Sequence, residues 1–220
     1  PIPLTQVSSE FDSRIKDALT QYDHISVREV DTVSRINKIV EAECKVNLDP
    51  TLLLDTNDWE KLIDDKPLIN EPYLFLYTPF FKQEVFQLAK KWATDLKIKI
   101  VVSQAYGLID RTWLFDNTFR PYFIAGPKEF LNLCKYSTGI IGSSFHLVAF
   151  AIILQKPFWA INGLNDSRVA NLLHLVNLES RSLTTKESPS ISSDIDFKLV
   201  QEKLELKRQK SIQWLQNSLI

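Results

Sequence analysis

Two serines and a histidine stand between two apolar runs of the chain, in the segment GIIGSSFHLVAFAIIL. Residues 139–142 have the length and composition of a buried strand, and residues 145–154 those of a buried helix. Ser143, Ser144 and His146 therefore lie at a helix start, where unpaired backbone N–H groups and a partial positive charge favour phosphate or carboxylate. This spacing predicts an anion-binding site.

Each of these three residues also has a structural interpretation. Serine is a favoured N-cap residue, so Ser143 or Ser144 could do no more than begin the helix. Capping does not require a histidine, and the residues after His146 are almost all apolar, which indicates a helix that is buried on most of its surface. The imidazole then faces either a buried partner or the ligand crevice, and we expect it to face the crevice.

Arg28 is a second candidate for the same site. It directly follows the predicted strand 24–27, and its guanidinium matches a carboxylate or phosphate with two parallel hydrogen bonds. The alternative is an ion pair with the neighbouring Glu29 or Asp31. Its position at a strand end favours the functional interpretation.

Two further segments place polar residues at predicted helix starts. Gly126 and Pro127 precede a helix whose first turn carries Lys128 and Glu129, and either side chain has the reach to contact the same ligand. Glu129 is equally typical of an acid that complements the helix dipole. Arg168 follows the predicted strand 158–161 by a short loop, which makes it a second candidate cation.

Strands alternate with helices of about ten residues along the chain, a pattern that predicts a Rossmann-like α/β fold with an open parallel sheet covered on both faces. The predicted strands are 24–27, 45–48, 73–77, 98–102, 139–142 and 158–161, and the predicted helices are 8–21, 32–42, 58–63, 83–96, 128–136, 145–154 and 168–175. In such sheets ligands bind beyond the carboxyl ends of the strands, where all the candidate residues above are expected to lie.

Composition excludes several classes of protein. The 26 basic and 27 acidic residues nearly cancel, so no bulk charge draws the chain to nucleic acid or to an anionic membrane. The longest apolar run, 147–154, is far shorter than the roughly 20 residues of a membrane span. Cys44 and Cys134 form no paired motif, which predicts free thiols and a cytoplasmic location.

No metal site is expected, because His24, His146 and His174 are dispersed and form no ligand-spaced pair. No nicotinamide or other cofactor is expected either. A long amphipathic helix is predicted after residue 195, and its apolar face requires a partner, either another domain or a second copy of the chain.

Five segments, taken in order, resemble the polysaccharide pyruvyl transferase family: HISVRE, NLDPTLLLDTNDW, PYLFLY, GPKEFLNLCKYSTGIIGSSFHLVAFAIILQKPF and NDSRVANLLHLVNLESR. The resemblance covers about Tyr22 to Arg181, and the GPKEF helix followed by a strand and SFH is its most specific part. It implies one half of an architecture similar to the GT-B glycosyltransferases, namely the C-terminal, donor-binding half. The implied organisation is a leader at 1–21, a Rossmann-like domain at 22–182, a mobile loop at 183–194 and a helix at 195–220, with the N-terminal domain missing.

Such enzymes transfer the pyruvyl unit of phosphoenolpyruvate to hydroxyls of a surface or capsular glycan and form a pyruvate ketal. The resemblance implies that His146 acts as general acid and base or stabilises the leaving phosphate. It also implies that the other candidate residues bind the phosphoenolpyruvate donor: Arg28, Gly126, Lys128, Glu129, Ser143, Ser144 and Arg168. Relatives carry a small residue after the histidine where this chain has Leu147, which either narrows the donor site or packs inward.

Two other functions remain open on the sequence. One is a nucleotide-sugar glycosyltransferase of the GT-B type, in which Glu179 would bind the ribose hydroxyls. The other is a non-catalytic domain that binds a glycan or serves as a scaffold. Its candidate sugar-stacking residues are an aromatic group within the irregular segment 105–125, and loop packing is the alternative for them: Trp113, Phe115, Phe119, Tyr122 and Phe123.

Overall fold

The computed structural model describes residues 7–40, 42–79, 83–103, 112–123, 126–187 and 194–219. The chain divides into two compact units. The first comprises Pro1–Leu53 together with Lys203–Ile220, and the second comprises Leu54–Glu202.

The first unit begins with a β-α-β segment preceded by a helix. Its elements are α1 (Asp12–Leu19), β1 (Ile25–Val27), α2 (Val30–Ile39) and β2 (Cys44–Val46). The two strands are parallel, with Ile25 opposite Cys44 and Val27 opposite Val46. Ile25 and Cys44 pack with Ile36 of α2 in a small apolar core, as the 3.6-residue spacing of the α2 apolar residues predicts.

The second unit contains the larger sheet. Its elements are α3 (Thr56–Glu60), β3 (Tyr73–Tyr77), α4 (Gln83–Leu96), β4 (Lys99–Ser103), β5 (Phe119–Tyr122), α5 (Pro127–Tyr136), β6 (Gly139–Gly142), α6 (Phe145–Ile153), β7 (Phe158–Ile161), α7 (Ser167–Val176) and β8 (Ser182–Leu183). All strand pairs in this sheet are parallel, in the order β5-β4-β3-β6-β7-β8. This is the Rossmann strand order, and it confirms the predicted fold class.

The order of the sheet reverses between β3 and β6. From β3 the chain adds β4 and β5 on one side, and then returns to place β6, β7 and β8 on the other. Both central strands are buried on both faces, which explains their continuous apolar sequences LFL and II. The carboxyl ends of β3 and β6 therefore meet at the topological switch point where ligands bind in open α/β sheets.

The long C-terminal helix α8 (Phe197–Asn217) confirms that a helix follows residue 195. From Lys203 onwards it belongs to the first unit, and it forms hydrogen bonds there. Ser211 Oγ accepts from the Leu48 N–H at 3.1 Å, Lys207 Nζ donates to the Val46 carbonyl at 3.1 Å, and Arg208 Nε donates to the Leu52 carbonyl at 2.9 Å. Polar contacts thus anchor α8 beside the carboxyl end of β2.

The sequence missed two strands. The segment 105–125 was expected to be irregular, but β5 occupies Phe119–Tyr122, while residues 104–111 and 124–125 lie outside the described part. Strand β8 includes Leu183, the first residue of the predicted loop 183–194, of which residues 188–193 are not described. Among the described residues, no helix has the length and apolar character needed to cross a membrane.

Candidate active site

A cleft of about 380 Å³ opens at the carboxyl ends of β3, β4 and β6 in the second unit. The starts of α5 and α6 both border it. Its lining residues are Tyr77, Ser103, Gly126, Pro127, Phe130, Ser144, His146 and Phe150. The structure thus brings four predicted features together at the switch point. They are the starts of α5 and α6, Ser144 and His146.

The start of α6 supplies the first part of the cleft. Ser144 holds the N-cap position, and its carbonyl accepts from the Val148 N–H at 3.2 Å, but its side chain makes no capping hydrogen bond. The N–H groups of the first helical turn have no partner within the helix and are directed towards its N-terminal end. His146 is the one residue of α6 that is not buried, and its imidazole lines the cleft.

Ser143 does not line this cleft. Its hydroxyl lies 2.8 Å from the hydroxyl of Thr78, which follows β3 and is buried. This bond joins the ends of β3 and β6 at the switch point. Ser143 therefore has a visible structural contact, and its assignment to the donor stays a prediction.

The start of α5 forms the facing side of the cleft. Gly126 is the N-cap and Pro127 takes the first helical position, where its missing N–H is not needed. Lys128 is exposed in the same turn. Glu129 folds back over the helix start, since its Oε2 lies 2.9 Å from the place where a Cβ on Gly126 would be. This placement fits the dipole-complementing interpretation of Glu129.

Ser103 is a lining residue that sequence reasoning missed. It is the last residue of β4, only 1% of it is exposed, and its hydroxyl has no hydrogen-bond partner among the described residues. The predicted strand ended at Val102, so Ser103 was not considered. The signal was nevertheless present, because a serine directly after the apolar run IVV occupies the same kind of position as Ser143 after β6.

One wall of the cleft is aromatic. The Phe130 ring packs edge to face against Tyr77, with centroids 5.2 Å apart, and against Phe150, with centroids 6.0 Å apart. These rings give the cleft an apolar surface close to the helix starts. Electrostatic interactions beside apolar groups are screened less than in bulk water.

Arg168 lies at the start of α7 and does not line the cleft. Its guanidinium donates from Nε and Nη2 to the two carboxylate oxygens of Asp166, at 3.0 and 2.6 Å. Burial raises the pKa of Asp166, but the hydrogen bonds and charge of Arg168 lower it by more than burial raises it. The pKa of Asp166 therefore lies below its usual value. Arg168 thus has a bidentate partner within its own turn, and its role in donor binding stays a prediction.

Arg28 lies in the first unit, directly after β1. It forms an ion pair with Asp49, which follows β2, and its Nη2 lies 3.7 Å from the Glu29 carboxylate. It borders a second cleft of about 240 Å³ within this unit, between the ends of β1 and β2 and the α8 residues Ser211 and Trp214. The expected alternative partners were Glu29 and Asp31, and the main partner is instead Asp49.

The other sequence-predicted residues lie outside this cleft. His174 Nδ1 lies 2.7 Å from Glu179, the residue considered for a ribose contact.

Within the aromatic group, Trp113 and Phe119 are buried in the core, whereas Phe115 and Phe123 are exposed. Cys44 and Cys134 are free and buried. Among the described residues, no three His, Cys, Asp or Glu side chains come together as a metal site would require.

Comparison with known proteins gives a family match over most of the chain. The model of the family described as polysaccharide pyruvyl transferase matches residues 6–165. The match begins before the Tyr22 expected from the sequence, includes Arg28 and His146, and ends before Arg168. Among curated proteins, none matches the chain.

Proposed function

The chain belongs to the polysaccharide pyruvyl transferase family, and on this premise we propose that its second unit binds phosphoenolpyruvate in the cleft described above. Membership implies a transferase that acts on a glycan. The proposal adds the donor and the product: the pyruvyl unit passes to two hydroxyls of a surface or capsular glycan and forms a ketal. No cofactor beyond the donor takes part.

The observation that carries the proposal is the meeting of two helix starts with one histidine at the switch point of the sheet. Phosphoenolpyruvate has two anionic groups, a phosphate and a carboxylate, on a small three-carbon unit. The starts of α5 and α6 offer two sets of N–H groups for them. Ser144 and the exposed Lys128 lie at these starts and add a hydroxyl and a positive charge.

The aromatic wall suits the remaining part of the donor. The methylene carbon of phosphoenolpyruvate is apolar, and the rings of Phe130 and Phe150 present an apolar surface in the cleft. The donor would then lie with its charged groups towards the helix starts and its methylene towards the rings. A nucleotide donor has less support, because Glu179, the residue considered for its ribose hydroxyls, lies 2.7 Å from His174 and does not line this cleft.

His146 is the proposed proton-transfer group. The first glycan hydroxyl loses its proton as its oxygen bonds to C2 of the donor, and the methylene carbon gains a proton and becomes a methyl group. The bond between C2 and the phosphate oxygen then breaks, and inorganic phosphate leaves. The second hydroxyl loses its proton as its oxygen bonds to C2 and closes the ketal. An imidazole that lines the cleft and remains accessible to solvent suits both the delivery and the removal of these protons.

Calorimetric titration of phosphoenolpyruvate into the full chain tests this proposal, with UDP as the parallel ligand. We expect phosphoenolpyruvate to bind, UDP to give no heat, and Lys128→Ala, which removes a positive charge from the start of α5, to weaken the binding. The matched control is Arg120→Ala, an exposed basic residue of β5 that does not line the cleft, which should bind as the unmodified chain does. Binding of UDP in place of phosphoenolpyruvate would favour a nucleotide-sugar transferase, and a folded chain that binds neither would favour the scaffold function.

The two free thiols and the phosphoenolpyruvate donor favour a cytoplasmic location for the reaction. The family match supports a glycan as the acceptor whose hydroxyls receive the pyruvyl unit.

A further inference from the structure

Ser103 presents an unusual feature in the cleft wall. A buried hydroxyl without a partner costs roughly 1–3 kcal/mol, yet this one lies at 1% exposure beside helix starts that present further donors. Two other buried serines have partners: Ser137 donates to the Cys134 carbonyl at 2.9 Å, and Ser211 accepts from the Leu48 N–H at 3.1 Å. An unsatisfied donor is expected where a ligand supplies the missing acceptor.

The position of Ser103 relates it to the anion site. It ends β4, next to β3, and it pairs in register with Tyr122 of β5, so it stands at the carboxyl edge on the side of the switch point opposite β6. Ser144 and His146 approach the cleft from the β6 side. A ligand in this cleft is therefore flanked by hydroxyls from both halves of the sheet.

We infer that Ser103 is a donor-binding residue, whose Oγ–H donates a hydrogen bond to an anionic oxygen of the bound phosphoenolpyruvate. This inference rests on the proposed function and adds to it a residue that neither the sequence pattern nor the family match singled out. A hydrogen bond to a charged group contributes about 1.5–3 kcal/mol. Its loss corresponds to about a tenfold to hundredfold weaker binding.

The test compares Ser103→Ala with Ser137→Ala in the full chain, by calorimetric titration of phosphoenolpyruvate and by thermal unfolding without ligand. Ser103→Ala should weaken phosphoenolpyruvate binding by tenfold or more and leave the melting temperature unchanged or raised, because it removes an unsatisfied polar group. Ser137→Ala should bind normally and melt a few degrees lower, because it removes a satisfied buried hydrogen bond.

The two proposals fail in different ways. If the unmodified chain does not bind phosphoenolpyruvate, both the proposed function and this inference are wrong. If the unmodified chain binds and Ser103→Ala binds equally well, only the inference is wrong. A Ser103→Cys variant, which keeps the shape but has a weak donor, should bind as poorly as Ser103→Ala, and full affinity in that variant would also contradict the inference.

Discussion

Tyr77 and Gly142 lie directly opposite each other at the carboxyl ends of β3 and β6, in such close contact that a Cβ on Gly142 would overlap the Tyr77 carbonyl oxygen. The two central strands can approach in this way only because one of them ends in glycine. The position of Ser144 in the candidate active site depends on this contact, because Ser143 and Ser144 directly follow Gly142.

Gly142→Ala should destabilise the protein by at least about 3 kcal/mol, because the overlapping neighbour is backbone and cannot rotate away. Urea unfolding followed by circular dichroism measures this loss. Gly126→Ala is the matched control: its added Cβ meets only the flexible carboxylate of Glu129, so we expect a change below about 1 kcal/mol. Equal effects of the two substitutions would contradict the close strand contact.

His146→Ala should lower turnover by about 10²- to 10⁴-fold, the usual contribution of a general acid and base. Stability should change little, because the side chain is exposed. Phosphate release from phosphoenolpyruvate, measured with a glycan acceptor present, gives the rate. His174→Ala removes an exposed histidine that contacts Glu179, and it should turn over normally. An active His146→Ala variant would assign the proton transfer to another group.

Asp49→Asn should destabilise the protein by about 2 kcal/mol at pH 7, through the loss of the ion pair that holds Arg28. Burial raises the pKa of Asp49, but the hydrogen bonds from Arg28 and from the Thr51 N–H together lower it by more. The pKa of Asp49 therefore lies below its usual value. A carboxyl with a lowered pKa stabilises the folded state above about pH 3.9 and loses that contribution as the pH falls. The difference between the two chains should therefore shrink at pH 3.

Urea unfolding at pH 7 and at pH 3 measures this dependence. Asp17→Asn, an exposed acid of α1, is the control and should match the unmodified chain at both values. A difference at pH 3 as large as that at pH 7 would show that the Asp49 charge contributes nothing.

Leu147→Ala should destabilise the protein by about 2–5 kcal/mol and leave phosphoenolpyruvate affinity unchanged. Leu147 is 1% exposed, does not line the cleft, and packs against Gly142. The larger residue after the histidine thus packs inward, the second of the two interpretations of the sequence. Denaturant unfolding and calorimetric titration of the same variant separate the two effects, and tighter phosphoenolpyruvate binding would indicate that Leu147 restricts the site after all.

The sequence predicted the main elements of the sheet because their signals are local. Residues 73–77 and 139–142 are apolar runs bounded by polar residues, and the structure has strands at those positions. Strand β5 was missed because its sequence FRPY contains a proline, which a strand tolerates at a sheet edge. Among the described strands β5 is at such an edge, beside β4. Strand β8 has two residues, too few for any periodicity.

Residues of the candidate site were predictable where their position between a strand and a helix was enough to select them. Placement after a strand and before a helix selected His146 and Ser144, and both line the cleft. Partners distant in the sequence were not predictable: Asp49 lies 21 positions from Arg28, and Thr78 lies 65 positions from Ser143. No local pattern records which strand ends meet, so the hydroxyl pair and the ion pair emerge only from the sheet order.

The burial of α6 on all but one residue has a consequence for motion in the second unit. Eight of its nine residues are enclosed, so the helix cannot shift or rotate without exposing apolar surface. Its amide protons should exchange with solvent only when the whole unit unfolds. The histidine is therefore held at a fixed position in the cleft, and any rearrangement that accompanies ligand binding must take place in segments other than α6.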